Sequence, residues 1–290
     1  MPELPEVESV RRTLEPHLLG ARIERAHLRR RDICHGSCTD IGLLVGATIV
    51  KLRRHGKQLA IIGSSAISKT GRRAVQENDR AIVIHLGMSG QLFIERGDEL
   101  SRTHVHCVWT VRGANSSTTT RLIFRDPRRF GGLWTGKWKW VIGEHWTDLG
   151  PDAATIDAGI LGRRLAGSRQ TIKAALLDQE VLAGVGNIYA DESLHRAHLH
   201  PETIAGALGP DAIKRLAKAV REALAEAIDA GGSTLRDYRN GDGETGKQQL
   251  RLAVYGRGGK RCFQCNAPLL SGTVAQRTTI WCPTCQRAAR

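Results

Sequence analysis

The sequence predicts a multi-domain α+β protein: an N-terminal β-sandwich with a leading α-helix, a helical domain, and a C-terminal zinc ribbon. Three observations predict it. Apolar residues recur at helical spacing over 5–19, short β-branched runs fill 22–135 without intervening helices, and two Cys-x2-Cys pairs lie near the end of the chain. The boundaries expected are 1–135 for the sandwich, 152–235 for the helical domain and 247–290 for the ribbon.

In chain order, residues 5–19 place Val7, Val10, Leu14 and Leu18 on one helical face, with Pro5 opening the helix and Gly20 stopping it. Candidate strands follow at 48–52, 58–62, 81–86, 91–94, 104–111 and 121–124, and they suggest an antiparallel sandwich. Gly87 and Gly90 punctuate a turn, and 113–120 is a Gly/Ser/Thr loop. Residues 64–80 are polar, basic and long for a loop, so mobility is expected there. In the helical block, 211–230 carries Ile213, Leu216, Val220, Leu224 and Ile228 on one face, between Gly209-Pro210 and Gly231-Gly232. Gly184-Val185-Gly186-Asn187 leads into a helix at 188–194. Such a glycine-rich entry either cradles a phosphate on backbone N–H groups, with Asn187 adding a donor, or serves packing alone.

Charge and cysteines narrow the function classes. The 290 residues carry a formal charge of +14, with a pI near 10.0. A polyanionic partner is expected, nucleic acid first and an anionic membrane surface second. Residues 245–290 hold eight Lys/Arg and no Asp or Glu, which argues for a phosphate-binding surface. No apolar run approaches a membrane span and the start does not resemble a signal peptide, so a cytoplasmic protein without membrane association is expected. Seven cysteines, an odd number in that setting, argue against disulfides. Cys262, Cys265, Cys282 and Cys285 have the spacing of a closed tetrahedral site, which implies one structural Zn2+. Cys34, Cys38 and Cys107 read as core or surface thiols.

Pro2 carries the strongest chemical signal. With Met1 removed it would bear a secondary α-amine, a class titrating near about pH 8 and therefore partly unprotonated at neutrality. Attack on an electrophilic carbon would give a cationic iminium. Glu3 and Glu6 follow as candidate proton donors or acceptors. The helix N-terminus would lower the amine pKa and the carboxylates would raise it, and both directions remain open. Glu8 is expected to be solvated.

Further motifs appear in order along the chain. After Pro2-Glu3-Leu4-Pro5-Glu6 come Arg53-Arg54-His55-Gly56-Lys57, His85-Leu86-Gly87-Met88-Ser89-Gly90 and Asp126-Pro127-Arg128-Arg129-Phe130-Gly131. Leu177-Asp178-Gln179, the Gly184–Asn187 stretch, and Gln276-Arg277 just before the third ribbon cysteine complete the set. Together, over nearly the whole chain, they resemble the bacterial formamidopyrimidine-DNA glycosylase family.

The resemblance implies a helix-two-turn-helix in the middle domain and base-excision repair of oxidised purines, such as 8-oxoguanine and formamidopyrimidines, in duplex DNA. It implies both glycosylase and abasic-site lyase activity, in a monomer associated with the bacterial nucleoid. Pro2 would attack the sugar C1′, Glu3 would donate or shuttle a proton, and Glu6 would support the N-terminal site. Lys57 would protonate a leaving group or contact phosphate, and Arg277 would serve the later elimination. Met88, Arg128 and Phe130 would fill the gap left by the extruded base, with Arg128 facing the orphaned cytosine. His104, Arg128, Arg129, Arg169, Lys173 and Asn187 would contact DNA.

Three features depart from the family pattern: Lys247-Gln248-Gln249 in place of an aromatic pair, Gln170 where many relatives have lysine, and the 64–80 insertion. Two other readings are an endonuclease VIII-like enzyme for oxidised pyrimidines and a non-catalytic zinc-ribbon DNA-binding protein. Leu4 with Met88, Arg128 and Phe130 disfavours the first. Intact Pro2, Glu3 and Lys57 disfavour the second.

Overall fold

The computed structural model describes residues 2–65, 75–95, 103–114, 118–235 and 238–287. Most of the 64–80 insertion lies outside them. The chain divides into two compact units, Met1–Asp148 with Gly231–Gly246, and Leu149–Ala230 with Lys247–Arg290.

The first unit opens with α1 (Leu4–Leu18), which has Pro5 in its first turn, where a missing N–H leaves no bond unmade. Its Val7, Val10, Leu14 and Leu18 are buried as the spacing predicts, and Gly20 (φ 80°) turns the chain out of the helix. Nine strands follow: β1 (Arg22–Leu28), β2 (Cys34–Gly36), β3 (Thr48–His55), β4 (Gln58–Ser64), β5 (Arg80–His85), β6 (Gln91–Ile94), β7 (Val105–Arg112), β8 (Thr119–Arg125) and β9 (Gly132–Lys137). They form one hydrogen-bonded sheet in the order β2-β9-β5-β4-β3-β1-β7-β8-β6. Leu59, Ile61, Ile84 and Leu133 from one half share a core with Leu92, Trp109, Leu122 and Phe124 from the other, and with the apolar face of α1. The sheet therefore folds across its own core into the two layers of a sandwich.

Six strands lie where the sequence places them, with ends shifted by up to a few residues. Two others are hidden by composition. β1 alternates Ile23, which is buried, with charged Arg22 and Glu24, and β9 contains two glycines. The short β2 pairs parallel with β9, His35 beside Trp134, so the sandwich is not antiparallel throughout. The sequence also conceals α2 (Trp138–Trp146), whose aromatic residues are weak helix formers. Tertiary packing overrides that preference. Val141 joins Ala60, Ile62, Ala81 and Val83 in a second core on the outer face of the sheet.

In the second unit, α3 (Ala158–Leu165), α4 (Ile172–Leu177), α5 (Asn187–Arg196) and α6 (Pro210–Asp229) surround a core that includes Leu161, Leu176, Tyr189, Leu194, Leu216, Val220 and Leu224. The α6 stripe is shifted from its expected centre. Leu216, Ala219, Val220, Ala223, Leu224 and Ala227 are buried, whereas Ile213 and Ile228 are partly exposed. Gly231 (φ 76°) and Gly232 (φ 83°) follow its end in left-handed conformations. The same unit holds a hairpin of β10 (Leu270–Val274) and β11 (Arg277–Trp281). Among the described residues no helix is long and apolar enough to cross a membrane.

Candidate active site and metal centre

Pro2 is buried immediately before α1. The following backbone is clamped by Glu6, which is 1% exposed. One carboxylate oxygen of Glu6 accepts the Glu3 N–H at 2.8 Å and the other accepts the Ser233 N–H at 2.7 Å. Tyr238 donates its hydroxyl proton to the Glu6 carbonyl at 3.1 Å. Glu6 is thus held by backbone groups on both sides, which makes it a positioning residue for the start of the chain. Gly232 is needed beside it, because a Cβ there would lie 3.1 Å from Glu6 Cγ at a φ of +83°. From the sequence, Gly231-Gly232 reads only as a helix stop. The signal for the second duty is long-range: Ser233, Tyr238 and Gly241 all bond back to α1, the Gly241 N–H donating to Thr13 Oγ1 at 2.8 Å.

Glu8 corrects an expectation: it is not solvated but 8% exposed. Its carboxylate takes Arg11 Nη2 at 2.9 Å, Arg12 Nε at 3.0 Å and Arg54 Nε at 3.1 Å. Burial opposes the charge, yet the arginines, Arg11 foremost, hold its pKa below the usual glutamate range. Arg54 also donates to the Gly56 carbonyl at 3.1 Å. Through its two bonds, to Glu8 and to Gly56, Arg54 ties α1 to the β3–β4 turn, where Gly56 (φ 53°) precedes the half-buried Lys57. The Lys57 charge, after burial, contributes to lowering the pKa of His85, against a smaller opposing effect of Asp126.

Met88, Arg128 and Phe130 are exposed on two neighbouring loops of this unit, Phe130 to 53%. The Arg128 guanidinium lies 4.8 Å from the Phe130 ring centroid, a cation–π pair. Both loops hang from one fully buried carboxylate, Asp126. Its Oδ1 accepts Ser89 Oγ at 2.6 Å and the Arg128 N–H at 3.2 Å, while Oδ2 accepts the Gly131 N–H at 2.7 Å. His106 Nε2 meets the Asp126 carbonyl at 2.7 Å. A Cβ on Gly87 would sit 2.4 Å from the Phe130 carbonyl carbon, so only glycine lets the loops touch. The sequence motifs contain Asp126 and Ser89, but the partnership between them spans 37 positions and carries no local signal. His104 is exposed with φ 62°, just outside β7. Arg129 is exposed too, yet its guanidinium pairs with Asp32 at 3.0 Å. Arg30 and then Arg129 hold the Asp32 carboxyl down at about 2.

The second unit carries the remaining residues. Arg169 is exposed, and Arg277 is exposed beside a two-residue turn of Ala275 (φ 50°) and Gln276 (φ 58°). Lys173 is a correction. Expected to reach DNA, it is fully buried, 2.6 Å from Asp191 and bonded to Thr278 O at 3.1 Å and Thr279 Oγ1 at 2.8 Å. Desolvation forbids a lone charge there, so Lys173 serves to join helix and hairpin. Burial outweighs that pairing at Asp191 and pushes its carboxyl up to about 6. Asn187 donates its side-chain amide to Thr278 O at 3.0 Å. In the preceding glycine stretch the Gly184 N–H donates to Gln179 Oε1 at 3.0 Å, so Gln179 pins this loop.

Cys262, Cys265, Cys282 and Cys285 bring their sulfurs within 4.8 Å of one another. Sulfurs bound at about 2.3 Å to a tetrahedral zinc lie about 3.8 Å apart, so the set fits that ion. With four sulfurs the site is closed and leaves no position for substrate. Cys34, Cys38 and Cys107 take no part; Cys34 and Cys107 are buried, and burial together with Cys38 pushes the Cys34 thiol up to about 12.

Comparison with known proteins gives a consistent result. The family model for the formamidopyrimidine-DNA glycosylase N-terminal domain matches residues 1–133, and that for the formamidopyrimidine-DNA glycosylase H2TH domain matches 149–239. Formamidopyrimidine-DNA glycosylase of Xanthomonas campestris pv. campestris is 42% identical over 295 residues, covering 99% of this chain and 100% of its own length. The Xanthomonas axonopodis pv. citri enzyme of that name is 43% identical over 296 residues, with the same coverage. A solved complex of Lactococcus lactis Fpg with abasic-site DNA superposes with a TM-score of 0.84 at 32% identity, covering 99% of this chain and 100% of that one. A further complex of the same enzyme, with DNA containing an oxidised pyrimidine, has a TM-score of 0.84 at 32% identity and the same coverage.

Proposed function

The chain belongs to the formamidopyrimidine-DNA glycosylase family, and on that premise we propose that it excises oxidised purines from duplex DNA and cleaves the strand at the resulting abasic site. The observation that carries this reading is the exposed Met88, Arg128 and Phe130 set, hung from buried Asp126. An apolar side chain, an aromatic ring and a planar hydrogen-bonding fork, presented on loops fixed by a buried carboxylate, suit the space vacated by an extruded nucleotide.

In the proposed chemistry the Pro2 amine forms a bond to C1′ as the bond to the damaged base breaks, and Glu3 moves the proton for ring opening. The C1′–O4′ bond breaks as O4′ takes that proton and remains on C4′ as a hydroxyl, and the nitrogen lone pair closes an iminium at C1′, which acidifies the neighbouring C2′ proton. Elimination then expels the 3′ phosphate, and a second elimination expels the 5′ phosphate, leaving a one-nucleotide gap. Lys57 protonates a leaving group or holds a phosphate, and Arg277 serves the second elimination. Glu6 holds the Glu3 backbone throughout. His104, Arg128, Arg129, Arg169 and Asn187 are assigned to the DNA strands. Each of these side chains carries a donor, and all but Asn187 are cationic or become so on protonation, which suits phosphate and base edges.

The functional division proposed is a catalytic sandwich at 1–135, a DNA-binding helical domain at 152–235 and a ribbon at 247–290 holding one structural Zn2+ through its four cysteines. The protein is proposed to act as a monomer in the bacterial cytoplasm, on nucleoid DNA. A second reading, preference for oxidised pyrimidines, draws on the Lactococcus lactis complex with such a lesion. Cleavage of matched duplexes bearing 8-oxoguanine, a formamidopyrimidine or an oxidised pyrimidine separates the two. Faster cleavage of both purine lesions, with phosphate on each side of the gap, is expected. Faster cleavage of the pyrimidine would overturn the purine assignment.

A further inference from the structure

The helix α5 faces the ribbon with a row of polar side chains. Asp191 Oδ2 accepts the Ile280 N–H at 3.1 Å, two residues before Cys282. Glu192 accepts three successive backbone N–H groups, from Ala253, Val254 and Tyr255, each at 2.9 Å. Four residues beyond Asp191, and so on the same helical face, His195 points its Nε2 at Cys262 Sγ from 3.5 Å. His195 and Cys262 are each 3% exposed. The second cysteine pair has its own support: Cys282 N–H donates to Gln286 Oε1 at 2.9 Å, and Gln286 Nε2 donates to Leu199 O at 2.8 Å. Side chains and carbonyls outside the ribbon therefore brace both halves of the metal centre.

The His195 contact differs from the others because it reaches a sulfur that would bind the metal. A metal-bound thiolate carries no proton and only accepts, so the histidine must be the donor and the tautomer is set with hydrogen on Nε2. Hydrogen bonds to ionised acceptors strengthen in buried surroundings. Such a bond draws electron density from the sulfur and fixes its direction. We infer that His195 is an outer partner of the metal centre, donating its Nε2 proton to the Cys262 thiolate and restraining that sulfur's reactivity toward electrophiles. The metal site thereby extends from the ribbon into α5, and His195 acts as a positioning residue toward the ion, not as a ligand.

The inference rests on the zinc reading of the four cysteines, so the zinc content of the purified full chain is measured first. Zinc release is then followed with a chromogenic chelator while N-ethylmaleimide is added in excess. In that reaction the sulfur adds to the alkene carbon, the zinc–sulfur bond breaks and the enolate takes a proton from water. His195→Phe keeps a planar ring and removes the donor, whereas His195→Gln retains an N–H. For His195→Phe, apparent zinc affinity falls by about tenfold, the lower end for loss of an outer partner. Its first alkylation site, read by mass spectrometry, shifts toward Cys262, and His195→Gln restores most of the difference. Unchanged release and alkylation order in His195→Phe would overturn the inference, as would equal acceleration at all four cysteines. Nitrogen-15 spectra of the wild-type imidazole need no variant: a proton on Nε2 supports the inference and a proton on Nδ1 alone refutes it. Wild-type protein isolated without zinc would overturn the zinc reading and this inference together, while zinc-loaded protein with an indifferent His195 overturns only the inference.

Discussion

A glutamate early in a surface helix usually faces water, but Glu8 faces three guanidinium groups. Its pKa is depressed by them, so the native state takes up this proton at lower pH than the unfolded chain does. The stabilisation it contributes is therefore fully present above the unfolded value of about 4.3 and is lost as pH falls through the lower native value. Glu8→Gln is expected to destabilise the protein by about 2 kcal/mol at neutral pH, within the range for charge-assisted hydrogen bonds. Urea unfolding at a series of pH values checks this, and the gap between variant and wild type should close below the ordinary glutamate range. A gap that stays constant from neutral to strongly acidic pH would show that shape, not charge, accounts for Glu8. The residue also marks a limit of sequence reading. Its neighbours Arg11 and Arg12 sit at helical spacing, but Arg54 lies 46 positions away and no local pattern announces it. Lys173 misleads for the same reason, because its partner Asp191 belongs to another helix.

At the level of elements, the two loops carrying Met88, Arg128 and Phe130 behave as one part because Asp126 holds both. If they fill a gap in a duplex, their value depends on there being an opposite strand. Phe130→Ala should slow cleavage of a lesion in duplex DNA by roughly tenfold or more, since unstacking a base costs a few kcal/mol. The same variant should cleave an abasic site in single-stranded DNA at nearly the wild-type rate, because no gap opens there. Equal losses on both substrates would remove the wedge from the mechanism. What made these elements legible was local: glycine-flanked turns, β-branched runs and the cysteine spacing. What hid β1, β9 and α2 was that each is stabilised by its neighbours against its own composition, with α2 held by Val141 on the sheet. The return of Ser233 and Tyr238 onto α1 was equally hidden, since their bonds to Glu6 are contacts across more than two hundred positions.

For the molecule as a whole, sequence and structure converge on a basic enzyme of a DNA-repair glycosylase family, and the proposed chemistry begins at its own first turn. The formal charge of +14 supplies attraction to phosphate without choosing a lesion. In the proposed mechanism, choice of substrate and bond cleavage depend on few groups: Pro2, the clamp that Glu6 builds beside it, and the loops hung from Asp126. Sequence motifs contain most of these groups, while the hydrogen bonds that orient them belong to the folded chain. In the proposed chemistry the Pro2 amine becomes covalently linked to the sugar of the damaged nucleotide. Borohydride reduction during reaction with a duplex holding one 8-oxoguanine opposite cytosine tests it, using wild type with Met1 confirmed absent and Pro2→Gly. A trapped protein–DNA species for the wild type, strongly reduced for the variant, is the expected result. No trapped species from wild-type protein, or equal trapping by the variant, would contradict it.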